Sequence, residues 1–392
     1  MATWTCTRAS KTTAASDAAV APASSNSEPA MARAELPLTT PPRSLCILRF
    51  SALGDVTHMT PVVRTLQREW PETRLTWIVG KAEHTLVGDI PGVDFAVFDK
   101  AAGWAGYRDL WRQLRGQRFD VLLHNQFALR ANIASLGIRA DLRLGYDRAR
   151  SRDLHGLFIN ARIPPHPGQH VIDIYFSFIE TLGLRRRHMV WDIPVPEAAE
   201  ARARALTPDD TPTLVISPCS SHALRNWTVA GCARVADHAA RRHGLRVLIT
   251  GGPSEVERET GAAIAAQAET APENLVGQTS IKEMLALLGR ATAVVSPDSG
   301  PAHMANAMGT PVIGLYACTN PGRARPYYSG QWCVDRYDEA SRRELGRPAS
   351  EIRWGTKIER PGVMALITPE DVIERLDALM AAGAPRAIPP ET

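Results

Sequence analysis

The sequence predicts an α/β protein built from two Rossmann-like, doubly wound parallel-sheet domains facing across a cleft. Three observations carry this. Short apolar runs recur too far apart for hairpins, with amphipathic helical patterns between them. The runs are apolar on both faces, as strands sandwiched between helix layers are. The alternation stops in a Pro- and Arg-rich stretch near residues 185–212 and then restarts. A chain of 392 residues is long enough for two such domains.

In order, "LCILRF" (45–50) reads as the first strand and "SALGD" as the turn after it. A helix follows with Val62, Val63, Leu66 and Trp70 on one face. It opens either at Asp55 or at the pair Thr60-Pro61, where a cap and a first-turn proline would sit. "LTWIVG" (75–80), "FAVFD" (95–99) and "DVLLHN" (120–125) are further strands, with a helix from Tyr107 to Leu114. "HVIDIYFSFIETLGL" (170–184) reads as one helix closed by Gly183. In the second half "TLVISP" (213–218), "LRVLITGG" (245–252), "NLVGQ", "TAVVSPD" (292–298) and "PVIGLY" (311–316) are strands. Helices fall over Val229–His238, about 255–268, 281–291, and between the last two strands. "TPEDVIERLDALMAAG" (368–383) has a Thr cap, a first-turn Pro, early acids and a closing Gly. Residues 320–367 read as irregular. The expected domains are 44–187, a linker at 188–212, 213–345, and a segment 346–392 whose helix could return across the two.

Residues 1–43 differ in kind: small, polar and Pro-bearing, they are expected to be disordered. They lack the apolar core of a secretory signal, and Met1 and Met31 are both candidate starts. No apolar run approaches the ~18 residues that span a bilayer. Six cysteines, Cys6, Cys46, Cys219, Cys232, Cys318 and Cys333, show no paired spacing, which argues against zinc sites and disulfides. The net charge is +4 but uneven. Ser44–Arg187 carries 20 Lys and Arg against 14 Asp and Glu, and the remainder from His188 carries 21 against 24. The first half is therefore suited to an anionic partner.

In open α/β sheets, ligands gather at the carboxyl ends of strands. Four stretches lie there. In "SALGDVTH" Asp55 fits a helix cap or a general base. "SPCSSHALRNWT" offers Ser220, Ser221 and Arg225, the last a donor for phosphate oxygens. In "TGGPSEVE" the two glycines permit close backbone approach, and Ser254 or Glu255 could cap a helix or meet a ribose. In "SPDSGPAHMANAMGTPVIGLY" Asp298 and Ser299 supply cap groups, and Gly300 and Pro301 open a helix. Its free first-turn N–H groups make an anion site beside His303.

The stretches "LRFSALGDVTHMTPVV" and "DSGPAHMANAMGTPVIGLY", some 245 residues apart, together resemble glycosyltransferase family 9, the ADP-heptose:lipopolysaccharide heptosyltransferases. "SPCSSHALRNWT", the 170–184 helix and "ITPEDVIERL" also fit, so the resemblance covers about residues 44–385. It implies the two-domain GT-B fold and a metal-independent, inverting transfer of heptose to a lipopolysaccharide-core hydroxyl, with no cofactor. It also implies a cytoplasmic protein, peripheral on the inner membrane face. Asp55 would be the base. Arg225 would hold the diphosphate, and Asp298, Ser299, Gly300 and His303 the sugar nucleotide. Ser220, Ser221, Ser254 and Glu255 would lie around the donor. Arg130, Arg143 and Arg148, with Arg150 and Arg152 near them, are candidates for the acceptor's anionic groups. "CTNPGRARPYY" departs from the family's G-x-T-x-P pattern, and the acidic pair Asp209-Asp210 lies in the linker, in poor company for a metal. Three other readings stand beside this one: another nucleotide-sugar donor, a sugar-nucleotide epimerase of the same architecture, and a non-catalytic nucleotide-sugar binder.

Overall fold

A computed structural model describes residues 35–208 and 211–386. The first sheet contains β1 (Ser44–Leu48), β2 (Arg74–Gly80), β3 (Val93–Phe98), β4 (Phe119–Leu123), β5 (Ala140–Gly145) and β6 (Ala161–Arg162), in the order β3-β2-β1-β4-β5-β6. The second contains β7 (Thr213–Ile216), β8 (Arg246–Ile249), β9 (Glu273–Asn274), β10 (Ala293–Pro297), β11 (Val312–Tyr316) and β12 (Val334–Asp335), in the order β12-β11-β10-β7-β8-β9. The two orders are the same winding, and every strand pair is parallel. The strand order reverses direction beside β1 in one sheet and beside β7 in the other, which opens a crevice at each switch point.

The first-half helices are α1 (Leu53–Glu69), α2 (Lys81–Val87), α3 (Trp104–Gln113), α4 (Leu129–Ser135) and α5 (Val171–Leu182). After α6 (Glu197–Leu206) come α7 (Val229–His243), α8 (Glu255–Gln267), α9 (Ile281–Arg290), α10 (Gly300–Ala307), α11 (Pro321–Ala324), α12 (Tyr337–Leu345) and α13 (Pro369–Ala381). Helix α1 opens two residues before Asp55 and runs through Pro61. Its Val62, Val63 and Leu66 are fully buried, so packing outweighs the missing proline N–H.

Three stretches differ from the sequence reading. Residues 35–43 are not detached from the fold: Leu36 and Leu38 pack on the core, and Leu38 N donates to Leu182 O at 3.0 Å. Residues 1–34 and the pair Asp209-Asp210 lie outside the described residues. Residues 320–367 hold α11, β12 and α12, too short for periodicity to reveal. The terminal helix α13 packs on the second domain, where Val372, Leu376 and Leu379 join the core beneath α7, while Arg353 and Trp354 earlier in the same C-terminal segment reach the first domain, donating to Ala149 O at 2.8 Å and Gln169 O at 2.9 Å.

One apolar cluster bridges the halves. It joins α1 and α5 to α9 and α10, with α1 packed on α10 and α6 on α9. Polar contacts reinforce it. Lys282 Nζ donates to Asp89 Oδ1 at 2.7 Å, and Tyr327 Oη to Asp173 Oδ1 at 3.1 Å. The N-termini of α1 and α10 are thereby fixed against each other.

Candidate active site

Asp55 sits in the first turn of α1, at the carboxyl end of β1. Its Oδ1 accepts from Tyr175 Oη at 2.8 Å. Its Oδ2 accepts from Ala52 N at 3.2 Å and pairs with the Arg49 guanidinium. Arg49 is anchored in turn by donating to Asn125 O at 2.7 Å, and its guanidinium lies 5.3 Å from the Tyr175 ring centroid. Burial alone would raise the Asp55 pKa. The Arg49 charge, the Tyr175 hydroxyl and the Ala52 N–H together hold it below the usual aspartate value. Asp55 is thus both a cap and an ionised carboxylate, with 29% of its side chain exposed to the cleft.

The opposite wall is the start of α10. Ser299 is the N-cap residue, yet its side chain makes no cap hydrogen bond, because its hydroxyl pairs with Ser296 Oγ at 2.8 Å. The first-turn N–H groups therefore have no side-chain cap, and the helix dipole adds positive potential at this end. His303 Nε2 lies 3.4 Å from Asp298 Oδ1, and its ring packs on His58 at 4.2 Å between centroids. His303 Nδ1 is buried without a partner.

The walls touch. A Cβ placed on Gly54 would lie 2.5 Å from His303 Cδ2, and one on Gly300 would lie 3.3 Å from Leu53 Cβ. Only glycine at 54 lets the helix ends meet this closely. Two segments some 245 residues apart thus form a single site.

Arg225 projects into the same crevice after β7. Its Nη1 is 3.5 Å from Asp298 Oδ2, and its Nε donates to Glu359 Oε1 at 2.7 Å. Asp298 is held below its usual value: burial opposes this, and His303 and Arg225 overcome it. Two more cations come from the segment read as irregular. Lys357 stands at the rim; loss of solvent on its protein side, and then Arg225, push its ammonium below the usual lysine value. Arg323, in α11, lies beside Gly355 and has no carboxylate within 4.0 Å among the described residues. Arg323, Lys357 and Glu359 lie outside the quoted motifs, and for Arg323 the signal was the arginine in "NPGRARP". Arg49 and Tyr175 lie inside quoted stretches, "LRFSALGD" and the 170–184 helix, but nothing in the sequence aims either at Asp55.

The remaining expected residues divide. Ser220 Oγ bonds locally to His222, and Ser221 is exposed on the same loop. Ser254 caps α8, but the inward carboxylate is Glu257, whose Oε2 accepts from Gly252 N at 2.6 Å, while Glu255 points to solvent. Arg130 and Arg148 are exposed on the first domain. Arg143 is a correction. Its guanidinium donates to Phe158 O, Ile138 O and Ser135 O at 2.7 to 2.9 Å, so it fastens β5 to the end of α4 and is not available to an acceptor. Arg150 is similarly engaged by Asp147 and Gln169.

Cys46, Cys219, Cys232 and Cys318 are buried free thiols. His238, His243 and Asp377 are the one cluster with metal-ligand spacing among the described residues. Both Nε2 atoms lie 2.6 Å from Asp377 Oδ1. His243 ends α7, which places it at the sheet edge opposite the crevice. Among the described residues no helix is long and apolar enough to cross a membrane.

Residues 107–354 match the family model for glycosyltransferase family 9 (heptosyltransferase). The lipopolysaccharide core heptosyltransferase OpsX of Haemophilus influenzae is 41% identical over 341 residues, covering 87% of this chain and 98% of that protein. Lipopolysaccharide heptosyltransferase 3 of Escherichia coli is 25% identical, covering 85% and 97%. Among solved structures, a family 9 glycosyltransferase from Veillonella parvula superposes with a TM-score of 0.71 at 20% identity, covering 87% and 97%. Heptosyltransferase WaaC of E. coli with ADP superposes with a TM-score of 0.66 at 19% identity, covering 86% and 99%. These likenesses place the fold as GT-B.

Proposed function

The chain belongs to glycosyltransferase family 9, and from that premise we propose that it moves heptose from ADP-heptose to a hydroxyl of the lipopolysaccharide inner core, inverting the anomeric centre. As a glycosyltransferase it is neither an epimerase nor a passive binder. The observation that carries the reading is the contact of Gly54 with His303, which sets a carboxylate wall against an anion-holding wall.

In this reading the acceptor oxygen attacks the anomeric carbon from the face opposite the nucleotide. The new C–O bond forms as the bond to the diphosphate breaks, and the bonding pair leaves on ADP. The acceptor proton passes to Asp55. A carboxylate below its usual pKa is a weak base, but the attacking hydroxyl becomes acidic only as its bond forms, so a weak base that is always ionised suffices. Arg49 and Tyr175 aim it.

The leaving diphosphate gathers charge, which in this reading is met by Arg225, Lys357, Arg323, His303 and the α10 amides. With these groups in that role, transfer proceeds without a divalent ion. Glu257 and the glycines before it are suited to the nucleoside end. The acceptor is a glycolipid, so the enzyme works peripherally at the inner face of the inner membrane.

A calorimetric screen of ADP-heptose against UDP- and GDP-sugars tests the donor. Tightest binding of ADP-heptose is expected; preference for another nucleotide would replace the donor assignment.

A further inference from the structure

Exposed apolar side chains are concentrated on one side of the first domain. Of the seven large ones exposed among the described residues, five are here: Trp104, Leu129, Leu136, Leu154 and Leu157. Leu154 and Leu157 are 70% and 78% exposed. We infer that the outer face of α3, α4 and the 153–157 loop is the surface by which this protein docks on an anionic lipid bilayer.

The patch is continuous. Trp104 packs edge-on against Trp111 at 5.7 Å, and Trp111 Nε1 donates to Ala134 O at 3.0 Å, joining α3 to α4. Leu129 opens α4 and Leu136 caps its end in helical conformation, seven residues on, so the two share one face. Asp153 Oδ2 accepts from Leu129 N at 3.0 Å, and Asp153 O from Asn132 Nδ2 at 2.7 Å, fixing the loop to α4. Asp153 and Leu154 both have positive φ, 51° and 59°. Two adjacent residues other than glycine in that region cost about 1 kcal/mol or more each. The loop accepts that strain and still turns a leucine outward.

The charge matches an anionic surface. Arg108, Arg130, Arg148 and Arg152 are exposed in or beside these segments, and none has a carboxylate within 4.0 Å among the described residues. Leucine and tryptophan among arginines that no carboxylate neutralises is the make-up of an interfacial anchor, in which apolar tips enter the acyl boundary and cations meet headgroup phosphates. Helix α4 starts at the same sheet edge as Asp55. Asn125 O, which accepts from Arg49, lies four residues before Leu129. A bilayer on this face would hold a lipid-anchored acceptor next to the base. This rests on the glycolipid-acceptor reading above.

Sedimentation with vesicles of phosphatidylethanolamine and phosphatidylglycerol, and with phosphatidylcholine alone, tests the docking without any substrate. The protein should bind the anionic vesicles, release them in high salt, and ignore phosphatidylcholine. The triple variant Leu136→Ser, Leu154→Ser, Leu157→Ser should lose binding by about tenfold or more. It should transfer at the wild-type rate to a deacylated, soluble acceptor and more slowly to an acceptor embedded in vesicles. Arg108→Glu with Arg152→Glu should weaken binding chiefly at low salt. The inference is overturned if the wild type ignores anionic vesicles, or if the triple variant sediments like the wild type. A triple variant that instead turns a dimer into a monomer assigns the face to a second copy of the chain. Absence of transfer to either acceptor by the wild type would refute the functional reading and leave the sedimentation result standing.

Discussion

Replacing Gly54 by alanine should damage this protein, although alanine ordinarily favours a helix. The new Cβ would sit 2.5 Å from His303 Cδ2 and 3.4 Å from two further ring atoms. Ordinary contact needs about 1 Å more. The ring cannot swing aside. It is 5% exposed, with His58 packed against it at 4.2 Å and Asp298 on its Nε2. The ends of α1 and α10 must therefore part by about 1 Å. Overpacking of this kind costs about 1–3 kcal/mol, against a gain of at most about 1 kcal/mol from helix propensity. The variant should be less stable by about 1–2 kcal/mol and melt a few degrees lower. Because the shift separates Asp55 from the start of α10, the two walls proposed to act together, transfer should slow by about 100-fold. Thermal denaturation and steady-state transfer measure both. An alanine variant that melts higher and turns over normally would refute the claim that this contact sets the site.

Arg225→Ala removes the cation between Asp298 and Glu359 and leaves both acids without it at the proposed diphosphate site. ADP binding by calorimetry should weaken by about 2–3 kcal/mol, or 30- to 150-fold, with Lys357→Ala in the same direction and smaller. Addition of a chelator should leave the initial transfer rate unchanged; a rate restored only by a divalent ion would contradict the role given to these cations. Stability should fall on mild acidification. His155 and His170 are buried, and burial pushes each down to about 4 from the ordinary 6.5. Below pH 6.5 the unfolded chain binds protons the folded chain cannot, so stability is full above pH 6.5 and lost as pH falls toward 4, by about 3 kcal/mol per histidine. The depressed Asp55 and Asp298 extend the loss to lower pH, as they are protonated. Denaturant unfolding across that range checks the slope, and His155→Asn should flatten it.

The strands at the centres of the two sheets could be read because burial on both faces makes them continuous apolar runs. Edge strand β3 was legible as "FAVFD", and β9 only as its neighbour "NLVGQ", but β5, β6 and β12 were not. Strand β5 alternates with Asp141 and Arg143, and β6, β9 and β12 are two residues each. The motif residues Asp55, Asp298 and His303 were legible because helix starts after strands carry their own signature. Their partners were not. Arg49 turns toward Asp55 just after β1 ends, Tyr175 reaches in from α5, and Lys357 and Glu359 arrive on a segment with no periodicity. Arg143 misled because a basic stretch does not reveal which guanidinium is spent on carbonyls.

Transfer by Asp55→Asn, measured at saturating ADP-heptose alongside ADP affinity, tests the central claim most directly. The variant keeps the Tyr175 contact but cannot take the acceptor proton. Turnover should fall by about 100- to 10,000-fold, with ADP affinity within a few-fold of the wild type. Wild-type turnover, or a loss of ADP affinity equal to the loss of rate, would contradict a base at Asp55.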